Sequence, residues 1–412
     1  MIRHKRWLLL ILLIAFAVRA VAAITVQKRL ESTQPPQQFL IAGDANGYWE
    51  LAENLIAGKG FTVHEPPRLA MRMPGFPMFF SMLMLATGKS MLAIRIGLAL
   101  VGTLVVVMVY MLGRRLFSES IGLTAAAICA VLPPMAGFSV LVLSETLFAL
   151  GLVASLLALT HLGDLLHSDG SRRQVTLIGG LAGLLVSLAC YVRPSWLLAA
   201  PCFVLLVYLF RRGSSSVHLA AIAVFAGLFL SLLPWAIRNQ FAVGRPVWTT
   251  LWVGPSLYDG LNDSATGDSD MTFFERDNLM ATLSEDEVDQ HYRQKAWTFV
   301  RENPGRSVEL AFAKVWRFWK PWPNASQFDA WWMKAAVTLT FLPVVVLAAI
   351  GIWNQRQNPW AVLIAVSPII YFTAIHAVFV GSLRYRLPAE YPLCVLSSVG
   401  LHTVWRWCRG NA

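Results

Sequence analysis

Charge is scarce along these 412 residues, of which 14% are Asp, Glu, Lys or Arg, against about 25% in soluble domains. That scarcity excludes the two or three soluble domains that length alone would suggest. Acidic residues are the rarer kind, 23 against 34 basic, and the formal net charge is +11. The basic excess is not gathered into a domain suited to nucleic acid. It sits at the ends of apolar runs, where membrane topology places Lys and Arg. Cysteine is also sparse: Cys129, Cys190, Cys202, Cys394 and Cys408 lie in or beside apolar runs without metal-ligand spacing. A disulfide framework is excluded, and the five read as small buried apolar residues. No internal repeat or low-complexity tract is present. Apolar sequence is abundant, 56% of all residues, in long runs joined by short basic loops. This is the pattern of an all-α polytopic membrane protein.

The first run, from Trp7 to about Ile24, follows Arg3-His4-Lys5-Arg6, and the positive-inside bias puts its start in the cytoplasm. Small residues around Ala20–Ala23 resemble a signal-peptide cleavage site. Arg19 interrupts the stretch and later spans need an insertion start, so the run reads as a retained first span. Residues 25–73 are polar and aromatic and lie outside. The stretch 74–87 is about 14 residues long, short of the roughly 20 a span needs, and opens on Pro74-Gly75-Phe76-Pro77. It reads as an interfacial or re-entrant helix. Spans are then expected at 91–113, 121–141 (broken by Pro133-Pro134), 145–163, 175–190, 195–210, 217–236, 334–353, 360–380 and 387–405. This register places Arg114-Arg115, Arg172-Arg173, Arg211-Arg212, Arg356 and Arg406–Arg409 all inside. The expectation is about ten transmembrane helices with both termini cytoplasmic.

Three regions follow: a membrane module over 1–236 with its first external loop at 25–90, an external segment over 237–333, and C-terminal spans over 334–412. Within the external segment, Ser284 and Glu287 form a capping box whose helix stops near Asn303-Pro304. A second helix begins near Pro304 and ends before Lys320-Pro321. Trp316, Phe318, Trp319, Trp322, Trp331 and Trp332 read as an aromatic belt at the membrane interface.

The register leaves Asp44, Arg72, Glu145, Arg193, Arg238, Arg384 and Arg386 outside, at the membrane surface. Arginines at external span ends run against the usual bias and need a reason. An anionic ligand supplies one, because guanidinium binds phosphate through paired hydrogen bonds and stays charged. Snorkelling to headgroups, or pairing with a nearby carboxylate, is the plainer explanation for any single Arg. Asp44 stands beside a short amphipathic helix marked by Tyr48, Leu51, Ala52 and Leu55. It is either that helix's N-cap or a carboxylate that accepts a proton. Glu145 heads a span after a proline break, where charge at a helix N-terminus is favourable anyway. His64, Glu65 and Arg72 flank the short helix, with too few further ligands for a metal site.

The run GD-x3-Y-x6-L-x2-G-x-G from Gly43, then R-x-PGFP at Arg72, GRRLF at 113–117 and SETLF at 144–148 resembles the GT-C membrane glycosyltransferases. The resemblance is to bacterial relatives of the protein O-mannosyltransferases (glycosyltransferase family 39) and of the lipid A aminoarabinose transferase. YVRPSW at 191–196, PWAIRN at 234–239, KVWRFWKPWP at 314–323 and RYRLPAEYP at 384–392 extend it over nearly the whole chain. It implies a GT-C helical bundle with external juxtamembrane helices. It also implies a polyprenyl-phosphate sugar as donor and a catalytic base in the first external loop, here Asp44. A second acidic residue at the external start of a later span corresponds to Glu145, where the family usually has Asp.

The expected activity is transfer of a sugar from a polyprenyl phosphate to a glycolipid, glycan or protein acceptor on the periplasmic face of a bacterial inner membrane. Asp44 and Glu145 are the catalytic candidates, and Arg72, Arg193, Arg238, Arg384 and Arg386 the donor-phosphate ligands. Tyr48, His64 and Tyr385 are candidates for substrate contact. No cofactor, no metal and no nucleic acid is expected; the lipid-phosphate sugar is a co-substrate, and membrane lipid is the medium. A transporter or flippase of lipid-linked sugars would also use external arginines, but its charges belong near the bilayer midplane with repeat symmetry. An O-antigen-ligase-like enzyme would carry a basic, His-rich late external loop, whereas 238–330 holds many acidic residues.

Overall fold

Residues 2–168, 170–210, 215–323 and 328–410 are described by the structure, a computed structural model. No strand occurs among them; the regular structure is all helix, as apolar surroundings require, because a helix satisfies its own peptide groups. A long first helix, α1 (Ile2–Glu31), leads to the external helix α2 (Ala42–Ile56) and the short apolar α3 (Gly75–Thr87). The bundle continues with α4 (Met91–Leu116), α5 (Glu119–Val131), α6 (Pro133–Phe138), α7 (Glu145–His167), α8 (Arg172–Val192), α9 (Ala199–Phe210) and α10 (Ser215–Val243). Outside it lie α11 (Val253–Gly260), α12 (Thr272–Asp277), α13 (Glu285–Glu302) and α14 (Pro304–Trp319). Then α15 (Trp331–Asn354), α16 (Pro359–Val378) and α17 (Leu383–Cys408) close the chain.

Seven of the described helices are long and apolar enough to cross a membrane: α1, α4, α7, α8, α10, α15 and α16. The protein is a multi-pass membrane protein. The three other expected spans depart from the simple pattern, each for a physical reason. Pro133 and Pro134 lack N–H groups, so the segment 121–141 splits into α5 and α6. The carbonyls released at Cys129 and Ala130 accept from Arg19, a buried guanidinium reaching across from α1 at 3.1 Å. Arg19 therefore stays inside the bundle as a cap for a broken helix. The segment 195–210 is shortened because Pro194 opens a single 3-10 turn before α9. Helix α17 is long enough but carries Arg384, Arg386 and Glu390; it is the central helix, packed against α4, α5, α7, α15 and α16, and almost everything from Arg386 to Gly400 is buried. Neighbouring helices rather than lipid surround those polar groups.

Small residues bring the helices close, as expected where lipid provides no hydrophobic drive between them. A Cβ at Gly183 of α8 would lie 2.0 Å from the Val224 carbonyl oxygen of α10, so only glycine fits that crossing. Arg115 at the end of α4 pairs with Asp164 near the end of α7 at 2.7 Å. His4 of α1 lies 3.2 Å from Glu119 at the start of α5. Arg211-Arg212, the basic pair expected after α9, lies outside the described residues.

The external helices follow the sequence expectation. Both reciprocal hydrogen bonds of the Ser284–Glu287 capping box are present, and α13 ends at Glu302, with Pro304 starting α14. Trp316, Trp331 and Trp332 are exposed, whereas Phe318, expected in the same belt, is fully buried and stacks on His376. Two of the five cysteines, Cys202 and Cys408, are exposed rather than buried.

Candidate active site

Five charged side chains from five segments meet at the end of the bundle opposite Arg115. Helix α2 starts at Ala42 and is capped by Ile41 without any side-chain bond, so Asp44 is not its N-cap. Its carboxylate accepts instead from Arg72 Nη2 at 2.8 Å and faces Arg384 Nη2 at 2.6 Å. Arg72 crosses α2 at Gly47, where a Cβ would sit 3.3 Å from Nη2. Glycine one turn after Asp44 thus makes room for the guanidinium. Arg72 also lies over the Tyr48 ring at 4.5 Å, a cation–π contact, and the Tyr48 hydroxyl is 3.2 Å from Ser144 Oγ.

Arg384, at the start of α17, turns its Nε to Glu145 at the start of α7 and so binds both carboxylates at once. Glu145 is completely enclosed and also accepts from Arg193 Nη1 at 2.6 Å. Its second oxygen, Oε2, has no partner. Arg193 follows the last residue of α8, where Pro194 stops the helix, and its guanidinium lies over Tyr385 at 5.1 Å. Tyr385 is in turn stacked on His376, centroids 4.7 Å apart. The network holds three guanidiniums and two carboxylates, one positive charge in excess.

Asp44 is partly accessible, with 31% of its side chain exposed. Burial tends to raise its carboxyl, but the charges of Arg384 and Arg72 outweigh this and hold it well below the usual carboxylate range. The group is ionised, and as a base it is weakened while both guanidiniums face it.

Three other sequence candidates stand elsewhere. Arg386 points the opposite way on α17; it pairs with Glu390 at 2.5 Å and donates to the Phe318 and Lys320 carbonyls at 2.6 and 3.1 Å. Two residues along a helix turn the side chain by about 200°, so Arg384 and Arg386 cannot share a ligand, and Arg386 instead caps the end of α14. Arg238 donates to the Leu69 and Phe61 carbonyls at 2.5 and 3.0 Å. Of the five arginines expected on the donor phosphate, Arg72, Arg193 and Arg384 converge, whereas Arg238 and Arg386 do not. His64 is held by Glu50, its backbone N–H on Oε1 at 2.6 Å and its ring 3.6 Å from Oε2. Ser144 and Glu285 belong to the surroundings of the site without having been singled out. Ser144 could have been found from its place in SETLF; Glu285 carries no sequence signal linking it to residues more than 200 positions earlier. Among the described residues no group of three or more His, Cys, Asp or Glu side chains is arranged to hold a metal.

Residues 67–237 match the family model described as dolichyl-phosphate-mannose-protein mannosyltransferase. That segment holds Arg72, Glu145 and Arg193 and leaves out Asp44 and Arg384. No curated protein matches the chain in sequence. Among solved structures, the oligosaccharyltransferase of Archaeoglobus fulgidus in the apo form superposes with a TM-score of 0.62 at 17% identity, covering 98% of this chain and 51% of that one. The same enzyme, AglB, in complex with an inhibitory peptide and a dolichol-phosphate gives 0.59 at 18% identity over 98% and 51%. ArnT from Cupriavidus metallidurans bound to undecaprenyl phosphate gives 0.40 at 14% identity over 98% and 79%. The chain spans about half the length of the archaeal enzyme. Its fold is the GT-C fold of membrane glycosyltransferases.

Proposed function

We propose that the protein is an integral-membrane glycosyltransferase that moves a sugar from a polyprenyl phosphate to an acceptor hydroxyl or amine. The single observation that carries this reading is the network in which Arg72, Arg193 and Arg384 surround Asp44 and Glu145 at one end of the bundle. That end faces the periplasm of a bacterial inner membrane in this reading, with the Arg114-Arg115 end and both chain ends in the cytoplasm.

The chemistry follows from the charges. The acceptor oxygen or nitrogen forms a bond to the anomeric carbon as the bond from that carbon to the phosphate oxygen breaks, and the electron pair leaves with the lipid phosphate. Negative charge grows on the phosphate in the transition state, where fixed guanidiniums contribute several kcal/mol (~3, by analogy with a single oxyanion donor). A donor phosphate that takes hydrogen bonds from Arg72 and Arg384 removes the bias that keeps Asp44 a weak base. Asp44 then accepts the acceptor's proton. One displacement inverts the anomeric carbon. The three guanidiniums take the phosphate charge in this reading, which assigns no step to a metal; the acceptor is a glycolipid, glycan or protein.

Asp44→Asn in an assay with purified protein and a polyprenyl-phosphate sugar tests the assignment. Asn keeps the size and one accepting oxygen but takes up no proton, so transfer should fall at least 10²-fold with the protein still folded. Glu145→Gln should be milder if Glu145 positions substrate, and equally severe if the carboxylates share the base role. Full activity of Asp44→Asn would falsify the assignment.

A further inference from the structure

The segment that delivers Arg72 is a strap, residues 61–73, without helix of its own. Val63 and Arg68 pair across a tight turn, with backbone bonds of 3.2 and 2.9 Å. Such a segment has little to fix it from within, yet Arg72 must stand 2.8 Å from Asp44. Its position comes from outside. From the bundle, Arg238 takes the Phe61 and Leu69 carbonyls. From the external segment, the Leu251 N–H donates to Ala70 O at 2.8 Å. Arg68 lies over the rings of Trp252 and Phe274 at 5.6 and 4.8 Å.

The charged member of this grip is Glu285. It is the first residue of α13, and its carboxylate accepts from the Leu69 N–H at 2.8 Å and the Ala70 N–H at 3.1 Å. Helix α13 is itself anchored, because Asp289 accepts from Gly254 N–H at 2.7 Å and Asp286 pairs with Arg245. A charge-assisted acceptor on two successive amides is the strongest kind of backbone clamp, and here it ends two residues before Arg72.

We infer that Glu285 is a positioning residue which, from the first turn of an external helix, fixes where Arg72 stands against Asp44. The inference rests on the proposed function for its catalytic meaning and on the strap's hydrogen bonds alone for its structural meaning. Glu285 touches neither Asp44 nor Arg72. Asp44 is faced by Arg72, Arg384 and Tyr385, with Tyr48 against Arg72 and Glu145 beyond Arg384; Glu285 is faced by Arg68 and Arg238.

The test measures two quantities in the purified full-length protein: hydrogen exchange at the amides of Leu69 and Ala70, and the acid limb of kcat/KM for sugar transfer. In Glu285→Ala both amides should exchange at least tenfold faster, while amides of α4, α7 and α17 keep their rates. Arg72 then leaves Asp44, whose carboxyl rises, so the acid limb should move to higher pH. Glu285→Gln keeps one oxygen that can accept from both N–H groups but loses the charge, and should lie between wild type and Glu285→Ala in both readouts. If Glu285→Ala does not fold, Glu285→Asp serves: it keeps the charge at the helix start but withdraws the carboxylate by one methylene, and both changes should appear in smaller measure. Unchanged exchange at Leu69 and Ala70 overturns the clamp. Faster exchange with an unmoved acid limb overturns the positioning role, provided wild type transfers sugar and Asp44→Asn does not. If Asp44→Asn is fully active, the functional reading has failed instead, and the exchange measurement alone decides the clamp.

Discussion

Asp44 and Glu145 are bridged by a single guanidinium: Arg384 turns Nη2 to the first and Nε to the second. One carboxylate comes from an external helix and the other from the head of a membrane helix, and each has a second arginine of its own. Movement of Arg384 therefore changes the environment of both acids together.

Arg384→Lys should lower turnover at least tenfold although the charge is kept. A lysine ammonium is a compact point charge and cannot present two edges to two carboxylates as a planar fork does. Single-turnover transfer measures the chemical step, and isothermal titration with undecaprenyl phosphate in detergent measures lipid-phosphate affinity. Wild-type turnover in Arg384→Lys would remove the bridge from the mechanism.

The pH dependence of stability has a definite sign. Asp44 is depressed in the folded state, with burial opposing and the Arg384 and Arg72 charges prevailing. Its contribution is therefore fully present above the unfolded value of about 3.9 and is lost as pH falls through the lower folded value. The difference in melting temperature between wild type and Asp44→Asn should stay constant from pH 7 to about 5. It should shrink only in more acidic buffers. A difference that disappears between pH 7 and 5 contradicts the ion-pair geometry.

Arg386 should behave as part of the bundle and not as a phosphate ligand. Arg386→Lys loses the hydrogen bonds to Phe318 O and Lys320 O and should destabilise by about 1–3 kcal/mol. Affinity of the folded variant for undecaprenyl phosphate should stay within twofold of wild type. A large affinity loss with unchanged melting would return Arg386 to the site.

Orientation can be read by labelling single cysteines in a background with Cys202 and Cys408 replaced. Positions 171–174 should be protected from an impermeant external reagent, and positions 263, 268 and 270, all exposed, should react. The reverse pattern would put Asp44 in the cytoplasm and rule out a periplasmic acceptor.

The sequence by itself determined the class of protein, the helix order and most boundaries. Apolar run length and basic loop ends are local properties, and a backbone in lipid has little choice but helix. The Ser284–Glu287 box likewise located α13 to the residue, because a cap is made by neighbours in the chain. Glu145, Arg193 and Arg384 could be nominated from their place at span ends, and Asp44 and Arg72 from their place in the first external loop. Their pairing could not, since it depends on how α2, the strap, α7, α8 and α17 are turned about their axes. Rotation separated Arg384 from Arg386, which adjacency in the motif RYR had joined, and distance along α10 sent Arg238 to the strap. Polar α17 could be central because other helices enclose it, a fact absent from its own hydropathy. Glu285 found Leu69 and Ala70 only through the docking of the external segment, and contacts between segments so far apart in the chain leave no local trace.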